Sequence, residues 1–418
     1  MKYLTEWKNI LLNNKKVVEN YFFMTVLQIL NSFFYLLIYP YLIRTLGANS
    51  YGIYVFALSV ITYFITFISF GFDMPGVKAI AENADNKAAK EQTLSAVFTA
   101  KIYLEFAALL VFSVLVFSIP FFRKNYILYF ILFSQTLANV LFPQWYFQGI
   151  QRMRTVTFIQ LGFKILTLPF IFLLIKTSSD FTTFAAISTS GILAGAITAF
   201  LLIRYIDGLK IVWQPINALK NSYKDAFPFF ASGAVGVLKE QSIIQIIGIF
   251  LNFTDVAIYD FANKIILLPR TIFSSLNGAI FPKIIQNYVG ENVRKIIKTE
   301  YFIGLAVIVG VALLGGVAVK ILGGAPMAAS YPTAIILSVT VLTWLVVGAY
   351  INFIFIPNKK YYYVTKNQIL ALVSFVVYAV IGLLYMQNVY VMAAALSLSG
   401  LTEIVYTQFI TSKNRLLK

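Results

Sequence analysis

Two residue types that carry much of protein chemistry are missing: the 418 residues include no cysteine and no histidine. Without cysteine the chain has no disulfide, no thiolate metal ligand and no thiol nucleophile. Without histidine it lacks the side chain that most often acts as a general base or binds a metal ion. No G-x-x-x-x-G-K-[ST] motif occurs either, so nothing predicts ATP hydrolysis. We therefore expect no metal, no cofactor and no covalent chemistry.

Charge is also scarce, whereas apolar residues are abundant. Charged residues make up 12% of the chain and hydrophobic residues 60%, and the mean hydropathy is +0.81. A water-soluble domain could not bury so much apolar surface, so this composition indicates a membrane protein. About twelve stretches are long enough to cross a bilayer as helices. They lie at about 21–43, 51–72, 94–119, 126–147, 156–175, 181–203, 227–253, 256–281, 297–322, 331–355, 368–386 and 389–410.

The basic residues predict the orientation of these spans. The net charge of +17 would suggest nucleic acid in a soluble protein, but most of the excess lies in alternate short loops. The opposite set of loops carries only Arg44, Arg123, Lys124, Lys176 and Lys320. Because lysine and arginine are retained in the cytoplasm, both termini are predicted to be cytoplasmic, and no nucleic-acid partner is expected.

A polar run in the middle divides the chain into two halves of about six spans each. We predict an N-terminal cytoplasmic or interfacial segment (1–16), a first bundle (17–205), a cytoplasmic linker (206–225), a second bundle (226–411) and a cytoplasmic tail (412–418). At a constant offset, Ile53, Tyr54, Phe56 and Ala57 match Ile258, Tyr259, Phe261 and Ala262. Chance matches are common in membrane sequences; a true duplication would give two parallel halves with a substrate cleft between them.

Charged residues inside spans are the main candidates for function, because each is costly in hydrocarbon. Two pairs have one-turn spacing, Lys101 with Glu105 and Asp260 with Lys264, and each is predicted as an ion pair on one helix face, either structural or functional. Three further cations have no evident partner and are expected to need an anion. They are Lys164, Lys239 and Arg270.

Aromatic and amide side chains close the fourth span. Trp145 and Gln148 lie there, just before the basic loop that follows. Such residues suit a sugar or a lipid headgroup, and an interfacial anchor is an equally good interpretation.

Four short motifs at span ends resemble the Wzx-type O-antigen and polysaccharide repeat-unit flippases, which belong to the MATE-like exporters of the MOP superfamily. The motifs are Pro40–Gly47, Tyr51–Tyr54, Phe70–Phe72 and Trp145–Gly149. The resemblance extends over essentially the whole chain. It implies an all-α membrane protein of two six-helix bundles in a parallel pseudo-repeat.

The resemblance also implies a function. Such a protein is expected to move undecaprenyl-pyrophosphate-linked oligosaccharide to the periplasmic leaflet of the bacterial inner membrane by alternating access. Membrane lipids, a polysaccharide polymerase and a chain-length regulator are the other expected partners. The candidates for the pyrophosphate and sugar cavity are Arg44, Lys101, Lys239, Lys264, Arg270, Trp145 and Gln148.

Arg44 matches the arginine that follows the first span in the family, and Asp73 lies at the polar exit of the second. The first span has no acid, although some relatives place a coupling carboxylate there. If transport is ion-coupled, the candidates are therefore Glu105, Glu240, Asp260, Glu403 and Asp73.

Two alternatives remain. A MATE-like exporter of drugs or organic ions would favour an acid-rich lumen, not one with Lys239, Lys264 and Arg270. A membrane glycan polymerase would need a large external loop, and the predicted outer loops are short.

Overall fold

The computed structural model describes residues 15–286 and 290–417, apart from the side chains of 15, 17, 18, 21 and 274–286. Most of the predicted N-terminal segment lies outside these residues. The α-helices are α1 (Lys15–Ser69), α2 (Asp73–Glu82), α3 (Lys87–Ser118), α4 (Pro120–Arg123), α5 (Tyr126–Phe133), α6 (Gln135–Leu141), α7 (Gln144–Gly149), α8 (Met153–Leu174), α9 (Phe181–Leu201), α10 (Lys220–Phe250), α11 (Phe253–Gln286), α12 (Gly290–Leu322), α13 (Ser330–Tyr350), α14 (Tyr361–Tyr385) and α15 (Val389–Lys413). Short 3₁₀ and π segments extend or join them, and this part of the chain contains no strand.

The chain is a multi-pass membrane protein. Ten helical segments within the described residues are long and apolar enough to cross a bilayer. Large apolar side chains such as Phe302, Leu384 and Tyr385 are exposed on them. Water would disfavour this surface, whereas lipid tails solvate it. The predicted all-helical class is confirmed.

Helix α1 is broken at a glycine. Its 55 residues would extend about 82 Å if straight, far more than one crossing needs. At Gly47 the backbone turns to φ 75° and ψ 161°, a conformation that side chains with a Cβ rarely adopt. The break falls between the first two predicted spans. A second glycine, Gly52, allows close packing, because a Cβ there would lie 1.7 Å from the carbonyl oxygen of Phe253.

Two features of the first unit add to the predicted pattern of spans. The connection after the second predicted span contains a helix, α2. The fourth span is not continuous but consists of α5, α6 and α7, with Pro143 between the last two. Proline has no N–H to continue a helical ladder, so a break at this position is expected.

The described chain forms two compact units. The first comprises residues up to 31 and 57–237, and the second comprises 32–56 and 238–418. In the first unit, apolar residues of α2, α3, α7 and α8 share one core that includes Phe72, Trp145 and Met153. In the second, α12 packs on α13, and α14 on α15. The bundle boundaries derived from the sequence stay a prediction.

Candidate substrate-binding site

In the second unit, Lys264 lies at the centre of a group of tyrosines. Its Nζ atom is 2.5 Å from Asp260 Oδ2 and donates a hydrogen bond of 2.6 Å to the Tyr51 hydroxyl oxygen. The Tyr51 hydroxyl in turn donates to Asp260 Oδ2 over 2.9 Å. The rings of Tyr35 and Tyr39 have their centroids 5.0 and 6.0 Å from the ammonium group. We call these five residues the Lys264 cluster, and they confirm the predicted Asp260–Lys264 pair.

The break in α1 brings the tyrosines of this cluster together. Tyr39 and Tyr51 lie on either side of Gly47, and their rings meet edge to face at 5.3 Å. Tyr39 also stacks on Phe261 of α11 at 4.1 Å. The ammonium group is therefore held by a carboxylate, a hydroxyl and aromatic faces.

Lys239 has an acidic partner that is distant in sequence. Its Nζ atom donates to Glu403 Oε1 over 2.9 Å, and Asn367 Nδ2 donates to Glu403 Oε2 over 2.8 Å. The anion that Lys239 is expected to need is therefore Glu403. The acid lies 164 residues away, on α15, and nothing in the local pattern indicates the pairing.

Arg270 also has an acidic partner that is not local in sequence, Glu240. Its guanidinium lies 3.7 Å from Glu240 Oε1 and 5.1 Å from the centroid of the Trp344 ring. The Glu240 side chain is 60% exposed and that of Arg270 32%, whereas Lys264 and Asp260 are 17% and 14% exposed. Arg270 is therefore in a longer, more open ion pair than Lys264.

In the first unit, Lys101 and Glu105 do not form the predicted pair. Lys101 Nζ lies 3.5 Å from Asp73 Oδ1 and donates to Asn139 Oδ1 over 3.1 Å. Glu105 Oε1 accepts a 2.6 Å hydrogen bond from the Thr136 hydroxyl. Partners on α2 and α6 thus separate two residues that share a helix face. Among the described residues, Glu105 Oε2 has no hydrogen-bond partner.

The other candidates lie in different surroundings. Lys164 donates a 2.5 Å hydrogen bond to the side chain of Asn31. Trp145 is only 3% exposed and belongs to the apolar core of the first unit, while Gln148 is half-buried. Arg44 is exposed near the break in α1. The burial of Trp145 favours a packing role over contact with a sugar.

Several polar partners escape prediction from the sequence. Tyr35, Tyr39 and Tyr51 surround Lys264, and Asn139 and Asn367 complete two ion pairs. An asparagine inside an apolar span is a usable signal, because its amide needs a partner in lipid. Tyrosines give no such signal, since they are common throughout the chain. Nowhere in 15–286 or 290–417 do three acidic side chains come together as a metal site.

The model of the family described as "Polysaccharide biosynthesis protein" matches residues 17–288. The chain belongs to this family. A relative from Escherichia coli (strain K12), named "Putative O-antigen transporter", is 26% identical over 285 residues, which are 68% of this chain and 69% of the relative. This finding confirms the resemblance to polysaccharide repeat-unit transporters.

Two solved structures share the fold of this family member. One is "Lipid II flippase MurJ, inward closed conformation", with a TM-score of 0.71 and 16% identity over 94% of this chain and 87% of that one. The other is an inward-facing multidrug resistance MATE family transporter of the MOP superfamily. Its TM-score is 0.65 and its identity 13%, over 93% of this chain and 98% of that one. The chain therefore has a MATE-like and MurJ-like fold.

Proposed function

We propose that the protein is a flippase that moves undecaprenyl-pyrophosphate-linked oligosaccharide from the cytoplasmic to the periplasmic leaflet of the bacterial inner membrane. The observation that carries the proposal is the family match over a multi-pass helical chain. The name of the Escherichia coli relative supports an O-antigen type of substrate. The polymerase and chain-length regulator of the same pathway are the partners that would receive the product. The protein itself acts as a secondary transporter, not as an enzyme.

The proposed layout has twelve crossings and cytoplasmic termini. Helix α1 contributes a 48-residue candidate span, Phe22–Ser69, about 72 Å long if straight, which supports two crossings on either side of Gly47. Helix α11 adds a segment of 34 residues, about 51 Å long. Counted this way, the number of crossings is even, which agrees with basic residues near both chain ends.

Arg270 is the proposed ligand for the pyrophosphate. Its pair with Glu240 is long and open, so a phosphate oxygen can replace the carboxylate at small cost. A guanidinium binds phosphate through two parallel hydrogen bonds, and the Trp344 ring holds its plane in place. Lys239 and Lys264 are each bound within 3 Å by an acid and are proposed to shape the cavity around Arg270. Arg44, which is exposed, stays a candidate for a later step on the transport path.

Glu105 is the proposed coupling group if transport uses a proton gradient. Glu240, Asp260, Glu403 and Asp73 each lie within 4 Å of a lysine or arginine in the structure. Glu105 is bound by a hydroxyl instead. A carboxylate without a basic partner can take up a proton without leaving a cation unpaired, whereas protonating any of the other four would do so.

Deletion and complementation test the proposed function. Cells that lack the gene are expected to accumulate lipid-linked repeat units on the cytoplasmic leaflet and to lose surface polysaccharide. A plasmid copy should remove the accumulated repeat units and restore the surface polysaccharide. A copy with Arg270→Ala should do neither, although it inserts in the membrane. Normal surface polysaccharide in the deletion strain would overturn the proposal. Increased sensitivity to organic cations, with normal polysaccharide, would favour the exporter alternative.

A further inference from the structure

The first unit contains a cavity that the proposed transport site does not use. Its volume is about 380 Å³, and it lies among α2, the first turns of α3 and the segment that leads into α10. This volume is at the lower end of the range for small-molecule pockets. Its lining includes Phe72, Pro75, Gln92, Gln214, Asn221 and Asp225.

Residues 210–214, which we call the strap, run along α3 to the cavity, and Gln214 at its end is one of the lining residues. The backbone N–H groups of Lys210, Val212 and Gln214 donate to the side chains of Glu91, Ser95 and Thr99 over 2.8, 2.9 and 3.3 Å. Two residues of extended chain rise about 6.6 Å, and four residues of helix rise about 6.0 Å. These two distances are nearly equal. Every second N–H of the extended strap therefore meets a side chain on the same face of α3. Gln214, at the end of the strap, is therefore held at the edge of the cavity.

Further contacts fix the walls around the strap. Trp213 Nε1 donates to the Tyr103 hydroxyl over 3.1 Å, and the Tyr223 hydroxyl donates to the Ala100 carbonyl over 3.0 Å. The Tyr223 ring also meets Phe72, on the floor of the cavity, at 5.5 Å. The cavity is thus bounded by packed and hydrogen-bonded elements, as expected of a preformed binding site.

The lining favours a neutral, hydroxyl-rich ligand. Gln92, Asn221 and Asp225 make no side-chain hydrogen bond to any residue that the structure describes, so their amide and carboxylate groups are open to a ligand. None of the described lining residues is basic, which disfavours phosphate. Phe72 and Pro75 supply an apolar surface against which the C–H face of a sugar ring can pack.

We propose that this pocket binds one or two neutral sugar residues of the lipid-linked repeat unit before transport. The inference rests on the proposed function, since it names a recognition step for the same substrate. The pocket lies beside the start of α3, where Lys87 and Lys90 predict the cytoplasmic side, on which the repeat unit is collected. Sugar recognition is thereby separate from pyrophosphate binding at Arg270.

The test uses the purified full-length protein and the oligosaccharide repeat unit released by mild acid from the surface polysaccharide of the host. Titration calorimetry should detect binding of this lipid-free oligosaccharide, and inorganic pyrophosphate should not compete. Each of Gln92→Ala, Asn221→Ala and Asp225→Asn should weaken binding about tenfold through a lost hydrogen bond. The three side chains are surface groups outside the strap contacts, so these variants should unfold at the wild-type temperature.

Asn217→Ala is the matched control, because Asn217 is exposed on the same segment but does not line the cavity. Wild-type affinity in this variant, with weaker binding in the other three, supports the inference. Absence of binding by the wild type, equal affinity in all variants, or competition by pyrophosphate would overturn it. If surface polysaccharide still depends on the gene, the proposed function survives such a result. Normal polysaccharide in the deletion strain would instead remove the proposed function.

Discussion

Both units place a lysine and an acid four residues apart on a long helix, but only in the second do the two side chains bind each other. In α11, Asp260 precedes Lys264 and the two are 2.5 Å apart. In α3 the order is reversed, and Lys101 and Glu105 each bind residues of other helices. An acid on the N-terminal side is the more favourable order for a helical pair.

This difference separates two kinds of buried charge. The pair in the second unit is locally neutral and is held by Tyr51, so its energy depends on both partners remaining charged. Separation in the first unit leaves Glu105 with a hydroxyl partner. The neutral pair of the second unit suits a fixed framework. The separated Glu105 of the first unit suits a group that changes protonation.

The largest effect is expected from breaking the neutral pair. Lys264→Met leaves the Asp260 charge in a largely buried position without its cation, at a cost of about 3–5 kcal/mol. We expect little folded protein after extraction, measured by the monodisperse fraction in size-exclusion chromatography. The double variant Asp260→Leu with Lys264→Met should recover most of it. A folded, wild-type-like single variant would show that Asp260 does not need this partner.

A smaller loss is expected from moving the part of α1 around Tyr51 away from α11. In Gly52→Ala the new methyl group would overlap the carbonyl oxygen of Phe253, at 1.7 Å, and displace the neighbouring Tyr51 from Asp260. Overpacking of this kind costs about 1–3 kcal/mol, which a thermal unfolding assay should register as a lower midpoint. Gly348→Ala on α13 is the control, because no atom lies within 4 Å of its added Cβ. Equal midpoints for the two variants would contradict the close approach.

In the first unit, removal of the hydroxyl partner should have a more modest effect. Thr136→Val keeps the shape of the side chain but takes away the hydrogen bond to Glu105, which costs about 1.5–3 kcal/mol for an ionised acceptor and less for a neutral one. The unfolding midpoint of Thr136→Val should therefore fall below that of the wild type in the same thermal assay. An unchanged midpoint would mean that this hydrogen bond contributes nothing to stability.

The smallest effect on stability is expected from Glu105→Gln. The amide can still accept from Thr136, and no cation is left unpaired. If Glu105 couples transport to protons, export by this variant should lose its dependence on an imposed pH gradient while the unfolding midpoint stays the same. Asp260→Asn is the contrast, since it should destabilise the protein. Gradient-dependent export by Glu105→Gln would transfer the coupling role to another acid.

The sequence predicts the parts of the fold that depend on local composition. Apolar runs locate the spans, and the Asp260–Lys264 spacing identifies a pair that lies on one helix. Contacts between distant segments are a different matter: Lys239 binds Glu403 across 164 residues, and Lys101 prefers Asp73 and Asn139 to its neighbour on the helix. Such pairings depend on how helices pack, which hydropathy does not encode. Trp145 shows the same limit, because a motif at a span end does not reveal whether its ring is buried.

Arg270 is proposed to hold the pyrophosphate of a lipid-linked oligosaccharide during its transfer between leaflets. The direct measurement is flipping in liposomes that contain purified protein and the lipid-linked repeat unit of the host, followed by access of an external sugar-modifying enzyme. Wild type should translocate the lipid, Arg270→Lys should be slower because it loses the two-point contact, and Arg270→Ala should be inactive although folded. Translocation by Arg270→Ala at the wild-type rate, or none by the wild type, would contradict the account.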